Sequence, residues 1–297
     1  MQARRVVLTL ASTLLLISTC PAQTSVTCHI RRFNAPTTSP LYPLSNAVGI
    51  NRWGNVIGKA GNGKGYIRYT DGRIQTLPVN ITGFPEVFPA KRNAFGVTVG
   101  YVTTAVGTLR EERSFILTGS SVQVFTLSGY PSAELAGINR YGTLVGNLEG
   151  SAITLNNSFR YKDGKLTKLA IPVANRVSAI SDTGVIVGSY VNNTNPQPFD
   201  DVHGFVYVNG VFKDLSAPWA GSTFITDVNA TGMIVGVTEG PGGSFIYKDG
   251  KFYNPIFVLS DGSVVSGQIF GVNGFGAIVG NAFDGQSTFL FLGSCSF

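Results

Sequence analysis

Two histidines are the side chains of this sequence best suited to acid–base catalysis or metal binding near neutral pH. His203 follows two carboxylates, Asp200 and Asp201, whereas His29 stands near the N-terminus. A zinc site needs three or four ligands at workable spacing, and neither a second His nor a Cys lies near His203. We therefore interpret His203 as a histidine of a surface loop and predict no metal site.

Other catalytic patterns are missing from the sequence. There is no Gly-x-Ser-x-Gly nucleophile elbow, and two histidines leave few bases for a catalytic triad. A glycosidase needs a convergent pair of carboxylates, but Asp and Glu together number only 16. The Asp-Gly pairs lack the alternating oxygen ligands of a calcium loop, so we interpret them as turns. The sequence predicts no catalytic residues, no cofactor and no enzymatic activity.

The element that would position any site is a segment that occurs six times. Each copy has a short apolar run, an Asn, two variable residues, a Gly, three mostly apolar residues and a second Gly. The copies are Ala47–Gly58, Pro89–Gly100, Leu135–Gly146, Val177–Gly188, Ile225–Gly236 and Ile269–Gly280. Only the fourth copy replaces the Asn, with Ser181. The second glycines recur every 42 to 48 residues, a period typical of β-propeller blades.

Each repeat predicts four short strands, A to D. Strand A ends at the Asn, strand B carries the second Gly, and strand C has apolar residues two apart, such as Phe159 and Tyr161. The second Gly predicts a close backbone approach or a bulge in strand B. Hairpin dipeptides predict tight C–D turns at Asp71-Gly72, Asp163-Gly164, Asn209-Gly210 and Asp249-Gly250. We predict an all-β, six-bladed β-propeller of four-stranded antiparallel blades, with a linear stack of hairpin sheets as the alternative.

The two ends of the chain predict how the ring closes. The last repeat ends after strand C, and Ile30 and Phe33 repeat the spacing that strand D has in other repeats. Aligned with the third repeat, Cys28 and Cys295 fall at neighbouring positions of the missing C–D turn. An N-terminal strand is therefore predicted to complete the last blade, with a disulfide between Cys28 and Cys295.

The N-terminal segment 1–22 has the pattern of an export signal. Arg4 and Arg5 precede an apolar run, Val6 to Ile17, that is too short to span a membrane. We expect cleavage after Ala22, with a lipid anchor on Cys20 as the alternative. The mature chain, 23–297, is then one secreted or periplasmic domain without a transmembrane span. Its Lys and Arg residues form no continuous cluster, so we predict no nucleic-acid partner, and we expect a monomer.

The connections between strands differ in how much their lengths vary. The A–B and C–D turns are nearly constant, whereas the B–C and D–A connections vary, and an antiparallel meander places each kind on its own side. We call these sides the short-turn rim and the variable-loop rim. Binding usually resides in loops on a rigid scaffold, so the candidate binding residues are Phe84, Phe88, Tyr130, Trp219 and His203 on the variable-loop rim. The aromatic rings would stack on sugars or pack on a protein partner, or else cover strand ends.

Small residues recur on strand A, two positions before the Asn. They are Gly49, Gly137, Ala179 and Gly271, whereas Lys91 and Asp227 take this position in the second and fifth repeats. Innermost propeller strands crowd around the axis, so strand A is predicted to be innermost. Whether Lys91 and Asp227 reach each other across the channel does not follow from the spacing.

The repeat Ile-Asn-x-x-Gly-x-x-Val-Gly, with a later His-x-Phe and an aromatic-x-(Asp/Asn)-Gly turn, resembles the HAF-repeat family of bacterial exported proteins. The His-Ala-Phe triplet is present only as His203-Gly204-Phe205; the other repeats have Gly65, Arg113, Asn157, Gly243 and Ser287 in place of the His. The resemblance covers nearly all of the mature chain. It implies an exported β-repeat protein without an assigned activity.

The sequence thus predicts a non-catalytic, exported binding or surface-interaction module whose ligand, a carbohydrate or a protein, binds on the variable-loop rim. The alternatives are a hydrolase or lyase acting in the central channel, which converging carboxylates would favour, and a purely structural envelope protein.

Overall fold

The computed structural model describes residues 24–34, 45–104, 111–130, 132–148, 153–155, 157–191, 202–239 and 243–297. The expected signal segment, Asp200, Asp201 and most of the long 190–202 loop lie outside these ranges. Within them, every regular element is a strand, and no helix is long and apolar enough to cross a membrane.

The strands of the first three repeats follow the N-terminal strand along the chain. They are β1 (Thr24–Phe33), β2 (Asn46–Ile50), β3 (Val56–Lys59), β4 (Gly65–Arg68), β5 (Ile74–Thr76), β6 (Glu86–Arg92), β7 (Val97–Thr103), β8 (Glu112–Thr118), β9 (Ser121–Phe125), β10 (Glu134–Ile138), β11 (Leu144–Asn147), β12 (Ser158–Lys162) and β13 (Lys165–Lys168). Those of the last three are β14 (Asn175–Ile180), β15 (Ile186–Val191), β16 (Val202–Val208), β17 (Val211–Asp214), β18 (Thr223–Val228), β19 (Ile234–Thr238), β20 (Ser244–Lys248), β21 (Lys251–Val258), β22 (Val264–Val272), β23 (Ala277–Phe283) and β24 (Thr288–Ser296).

The first four repeats each form a separate four-stranded sheet in sequence order, from β2–β5 to β14–β17. The last two repeats share one eight-stranded sheet, β1-β24-β23-β22-β21-β20-β19-β18. The fold is therefore all-β and propeller-like, but the prediction of six separate blades is not supported. The reason is the long β21, which pairs with β20 at its start, with β22 at its end, and in parallel with β1.

The predicted closing strand is present. β1 pairs antiparallel with β24, and Cys28 lies directly opposite Cys295 in that register. The two cysteines form a disulfide that spans 267 residues of chain. In the chain-entropy model, a link over so long a loop stabilises the fold by roughly 5 kcal/mol.

Among the described residues, six hydrophobic clusters hold the repeats together, each formed between two successive repeats. The first cluster packs Ile57 against Phe115 of the second repeat. The cluster that completes the circle packs Ala47 of the first repeat against Val279 of the sixth. The repeats therefore close into a ring, and the alternative of a linear stack is wrong.

The second Gly of every repeat lies opposite a buried aromatic ring of strand C. The pairs are Gly58–Tyr66, Gly100–Phe115, Gly146–Phe159, Gly188–Phe205, Gly236–Phe245 and Gly280–Phe291. A Cβ at Gly146 would lie 2.2 Å from the Glu134 carbonyl oxygen and 2.7 Å from the Phe159 ring. Close backbone approach is thus confirmed.

One detail of this pattern differs from the prediction. The bulge lies in strand A, between Leu135 and Gly137 in the third repeat, because strand A has one residue more than the facing stretch of strand B. In the first repeat Tyr66 faces the second Gly. Its hydroxyl donates to the Asn46 carbonyl at 3.0 Å, and burial raises the pKa of the Tyr66 phenol.

Candidate functional site

The repeated Asn residues tie the A–B turns into a circle on the short-turn rim. In the first repeat, the side-chain oxygen of Asn51 accepts hydrogen bonds from the backbone N–H groups of Trp53 and Asn55, both at 3.0 Å. Its side-chain amide then donates to the backbone carbonyl of the next Asn. These links run Asn51→Asn93, Asn93→Asn139, Asn139→Ser181, Asn229→Asn273 and Asn273→Asn51, at 2.8 to 3.4 Å. Ser181 has no amide and interrupts the circle.

These turns surround an open cavity of about 290 Å³, which we call the cup, and all six repeats line it. The residue just before each Asn forms part of its wall. Five of these residues are apolar (Ile50, Ile138, Ile180, Val228 and Val272) and the sixth is Arg92. The cup lies on the rim opposite to the one predicted to bind a ligand, and the repeat pattern alone does not predict a cavity there.

The inner end of the cup meets an ion pair across the ring axis. Lys91, which lines the cup, pairs through its ammonium with the carboxylate of Asp227. The same Asp227 oxygen accepts a hydrogen bond from the backbone N–H of Val272 at 2.9 Å. Elsewhere on the axis, Gly271 approaches Gly49 so closely that a Cβ would lie 2.9 Å from the Gly49 Cα. The axis is thus filled by small residues and one neutralised charge pair.

Exposed aromatic side chains occur on four of the A–B turns around the cup, all at the second variable position of the repeat, and one of them, Phe275, lines the cup itself. This aromatic crown consists of Trp53, Phe95, Tyr141 and Phe275, which are 60%, 79%, 58% and 74% exposed. Thr183 and Thr231 take the same position in the other two repeats. The Trp53 indole N–H donates to the Ala94 carbonyl at 2.9 Å, which fixes the ring across two turns.

The crown residues were not among the predicted site residues, because the repeat consensus has no fixed residue type between the Asn and the Gly. Their signal was nevertheless present: four of six repeats have an aromatic residue at one register position in a polar turn. Large apolar side chains exposed together in this way mark interaction sites.

The predicted residues of the variable-loop rim are packed to different degrees. Phe84 is 7% exposed and belongs to the cluster between the first two repeats. Phe88 stacks on Tyr101 with ring centroids 4.9 Å apart. Tyr130 and Trp219 are half-buried and pack against inter-repeat clusters. These rings cover the ends of the sheets, and a role in binding stays a prediction.

His203 lies within β16 rather than in a surface loop, because it pairs with Tyr190 of β15, and it belongs to a hydrogen-bonded group with Asp214, Ser216 and Tyr190. Its Nδ1 lies 3.1 Å from Asp214 Oδ2 and 3.0 Å from Ser216 Oγ, and the Tyr190 hydroxyl donates to the same carboxylate oxygen at 2.7 Å. In a catalytic triad, the Ser and the Asp bind opposite nitrogens of the imidazole. Here both meet Nδ1, so the group lacks the geometry of an activated serine.

No cluster of three or more potential metal ligands occurs in the described ranges. No family model matches the chain, and no curated protein matches its sequence. Solved structures do match. A streptogramin B lyase aligns with a TM-score of 0.53 at 10% identity, over 91% of this chain and 98% of the lyase.

Two further solved structures align less closely. Virginiamycin B lyase from Staphylococcus aureus has a TM-score of 0.46 at 11% identity, over 90% of this chain and 99% of its own. A putative gluconolactonase has a TM-score of 0.47 at 13% identity, over 91% and 92%. At these identities the likeness concerns the fold alone, and it defines the chain as a β-propeller-like protein.

Proposed function

We propose that this protein is an exported, non-catalytic binding module that takes a carbohydrate at the cup and aromatic crown of the short-turn rim. The observation that carries the proposal is the equivalence of Trp53, Phe95, Tyr141 and Phe275, four exposed rings at one position of the turns that surround the cup, of which Phe275 also lines the cup.

A saccharide fits the chemistry of this rim because a sugar ring has an apolar C–H face and polar hydroxyl edges. The crown offers rings for the faces, and Asp182, Arg52 and Arg140 offer donors and acceptors for the hydroxyls. The cup is close to the lower limit of about 300 Å³ for small-molecule pockets. It accommodates the end of a chain rather than a folded partner.

The proposal of a non-catalytic role is supported by the axis. A hydrolase acting on glycosidic bonds needs two carboxylates set about the scissile bond. At the axial position of strand A the six repeats offer one, Asp227, and Lys91 neutralises it. Asp182, the carboxylate that lines the cup, accepts a hydrogen bond from the backbone N–H of Arg140 at 2.8 Å.

Export and membership of the HAF-repeat family are further parts of the proposal. The Cys28–Cys295 disulfide supports export, because such bonds rarely persist in a reducing cytoplasm. Recurrence of the Asn-x-x-Gly turn in five of six repeats supports the family.

A glycan array with the purified protein tests the function, followed by titration of the best ligand. We expect Phe95→Ala and Phe275→Ala each to weaken binding at least fivefold, whereas Phe283→Ala, an exposed Phe on β23 outside the cup, leaves it unchanged. Loss of binding in Tyr130→Ala and Trp219→Ala, with the crown variants unaffected, would move the site to the variable-loop rim. Binding of a protein and of no glycan would overturn the proposal.

A further inference from the structure

The cationic side chains that line the cup lie on one side of the ring. The first three repeats contribute four cations, Arg52, Lys91, Arg92 and Arg140. The other three contribute Asp182, Ala230 and Gly274 at the first variable position. The lining of the cup therefore has a basic half and a half with small side chains and a single carboxylate.

Most of this positive charge is uncompensated. Lys91 is neutralised by Asp227, but within the part of the chain that the structure describes, the side chains of Arg52, Arg92 and Arg140 form no ion pair. Asp182 offsets one of the three, so the cup retains a net positive charge. A lining of this kind attracts anions.

Arg92 is the most constrained of the three. It occupies a wall position that is apolar in every other repeat, and its Nη1 donates to the Thr98 hydroxyl at 2.7 Å. Its Nε–H is buried and has no acceptor. Burial lowers the pKa of the Arg92 guanidinium, so its charged form is held at a cost that a bound anion would offset.

Arg52 and Arg140 combine charge with the crown. The Arg52 guanidinium lies between the rings of Trp53 and Phe275, at 5.7 and 5.8 Å from their centroids. That of Arg140 lies 4.6 Å from the Tyr141 centroid and donates to the Tyr141 hydroxyl. Three of the four crown rings, Trp53, Tyr141 and Phe275, thus have a guanidinium beside them.

We propose that the cup selects acidic saccharides, and that Arg52, Arg92 and Arg140 bind a carboxylate on a sugar ring stacked against the crown. This inference rests on the proposed carbohydrate function and names its ligand class. The planar guanidinium matches a carboxylate through two parallel N–H···O bonds. Asp182 repels the acidic group toward the basic half, while Ala230 and Gly274 leave room for the rest of the chain.

Calorimetric titration of the purified protein tests this inference, with oligogalacturonate as the carboxylated probe, a sulfated galactan oligosaccharide as the sulfated probe and cello-oligosaccharide as the neutral probe. We expect oligogalacturonate to bind at least tenfold more tightly than the neutral probe and to lose at least fivefold affinity between 50 mM and 500 mM salt, because screening weakens charge pairs. Arg140→Gln and Arg52→Gln should each lower its affinity about tenfold. Arg160→Gln, an exposed arginine of β12 outside the cup, is the matched control.

The outcomes separate this inference from the proposed function. Equal binding of acidic and neutral saccharides, with loss in Phe95→Ala, overturns acid selectivity and leaves carbohydrate binding intact. Preference for the sulfated probe overturns the carboxylate assignment. Binding of poly-glutamate as tightly as oligogalacturonate overturns the saccharide assignment, and binding of no saccharide overturns both proposals.

Discussion

The ammonium of Lys91 in the second repeat pairs with the carboxylate of Asp227 in the fifth, 136 residues further along the chain. The two side chains are 13% and 2% exposed. They meet at strand-A positions that the other repeats fill with glycine or alanine. The pair therefore joins opposite sides of the ring across its axis.

Breaking this pair should leave one buried charge without a partner. We expect Asp227→Ala to lower the free energy of unfolding by about 3–5 kcal/mol, and Lys91→Ala plus Asp227→Ala to cost clearly less than the sum of the two single changes. Urea denaturation of the four proteins of this cycle measures the coupling. Lys213→Ala, an exposed lysine of β17, should stay within about 0.5 kcal/mol; strictly additive losses would show that the pair contributes nothing.

Gly146→Ala should be strongly destabilising, because its Cβ would clash with the Glu134 carbonyl oxygen in the strand-A bulge. Overpacking of this kind costs typically 1–3 kcal/mol, and a backbone clash favours the upper end. The matched control is Gly221→Ala, whose Cβ meets nothing within 4 Å. Equal thermal midpoints for the two variants would contradict this account of the second Gly.

Ser181→Asn should stabilise the protein by completing the circle of amide links. A new side-chain amide can donate to the Asn229 carbonyl as the other repeats do, and one hydrogen bond contributes about 0.5–1.5 kcal/mol. The converse change in the third repeat, Asn139→Ser, removes the amide link to the Ser181 carbonyl and should be destabilising. Chemical denaturation compares both with the unaltered protein, and a destabilised Ser181→Asn would show that the fourth turn does not tolerate the amide.

Removing the disulfide with Cys28→Ala and Cys295→Ala should lower the free energy of unfolding by up to roughly 5 kcal/mol. Because Cys28 is fully buried, Ala avoids placing a new hydroxyl in the core. Denaturation of the double variant gives the loss. Intact mass after alkylation without reductant checks the starting protein, in which labelled thiols would show that the bond does not form.

The features best predicted from the sequence are those in which a single physical requirement determines which residue type stands at a given repeat position. Gly146 had to be Gly because of a close approach, and Cys28 could be aligned with Cys295 because the repeat supplied a register for both. The extent of β21 was not predictable in this way. Its second half belongs to the joined sheet because β1 lies beside it, which is a relationship between segments that are distant in sequence.

The turns around the cup could not be identified as a site from the sequence for a related reason. Variable loop length drew attention to Tyr130 and Trp219, whose rings pack against inter-repeat clusters. Trp53 and Phe275 lie in short turns of uniform length. The pattern within one repeat does not predict that six such turns surround one cavity. Only the closed ring brings them together.

The pairing of β1 with β24 also limits when, during synthesis, the ring can close. Of the described strands, β1 is synthesised first and its antiparallel neighbour β24 last, so this pairing forms only after all the strands between them have been made. Pairing between such distant segments makes folding slow, because the intervening chain must be ordered before the contact forms. Loss of β24 would leave β1 with its parallel pairing to β21 and without its antiparallel partner.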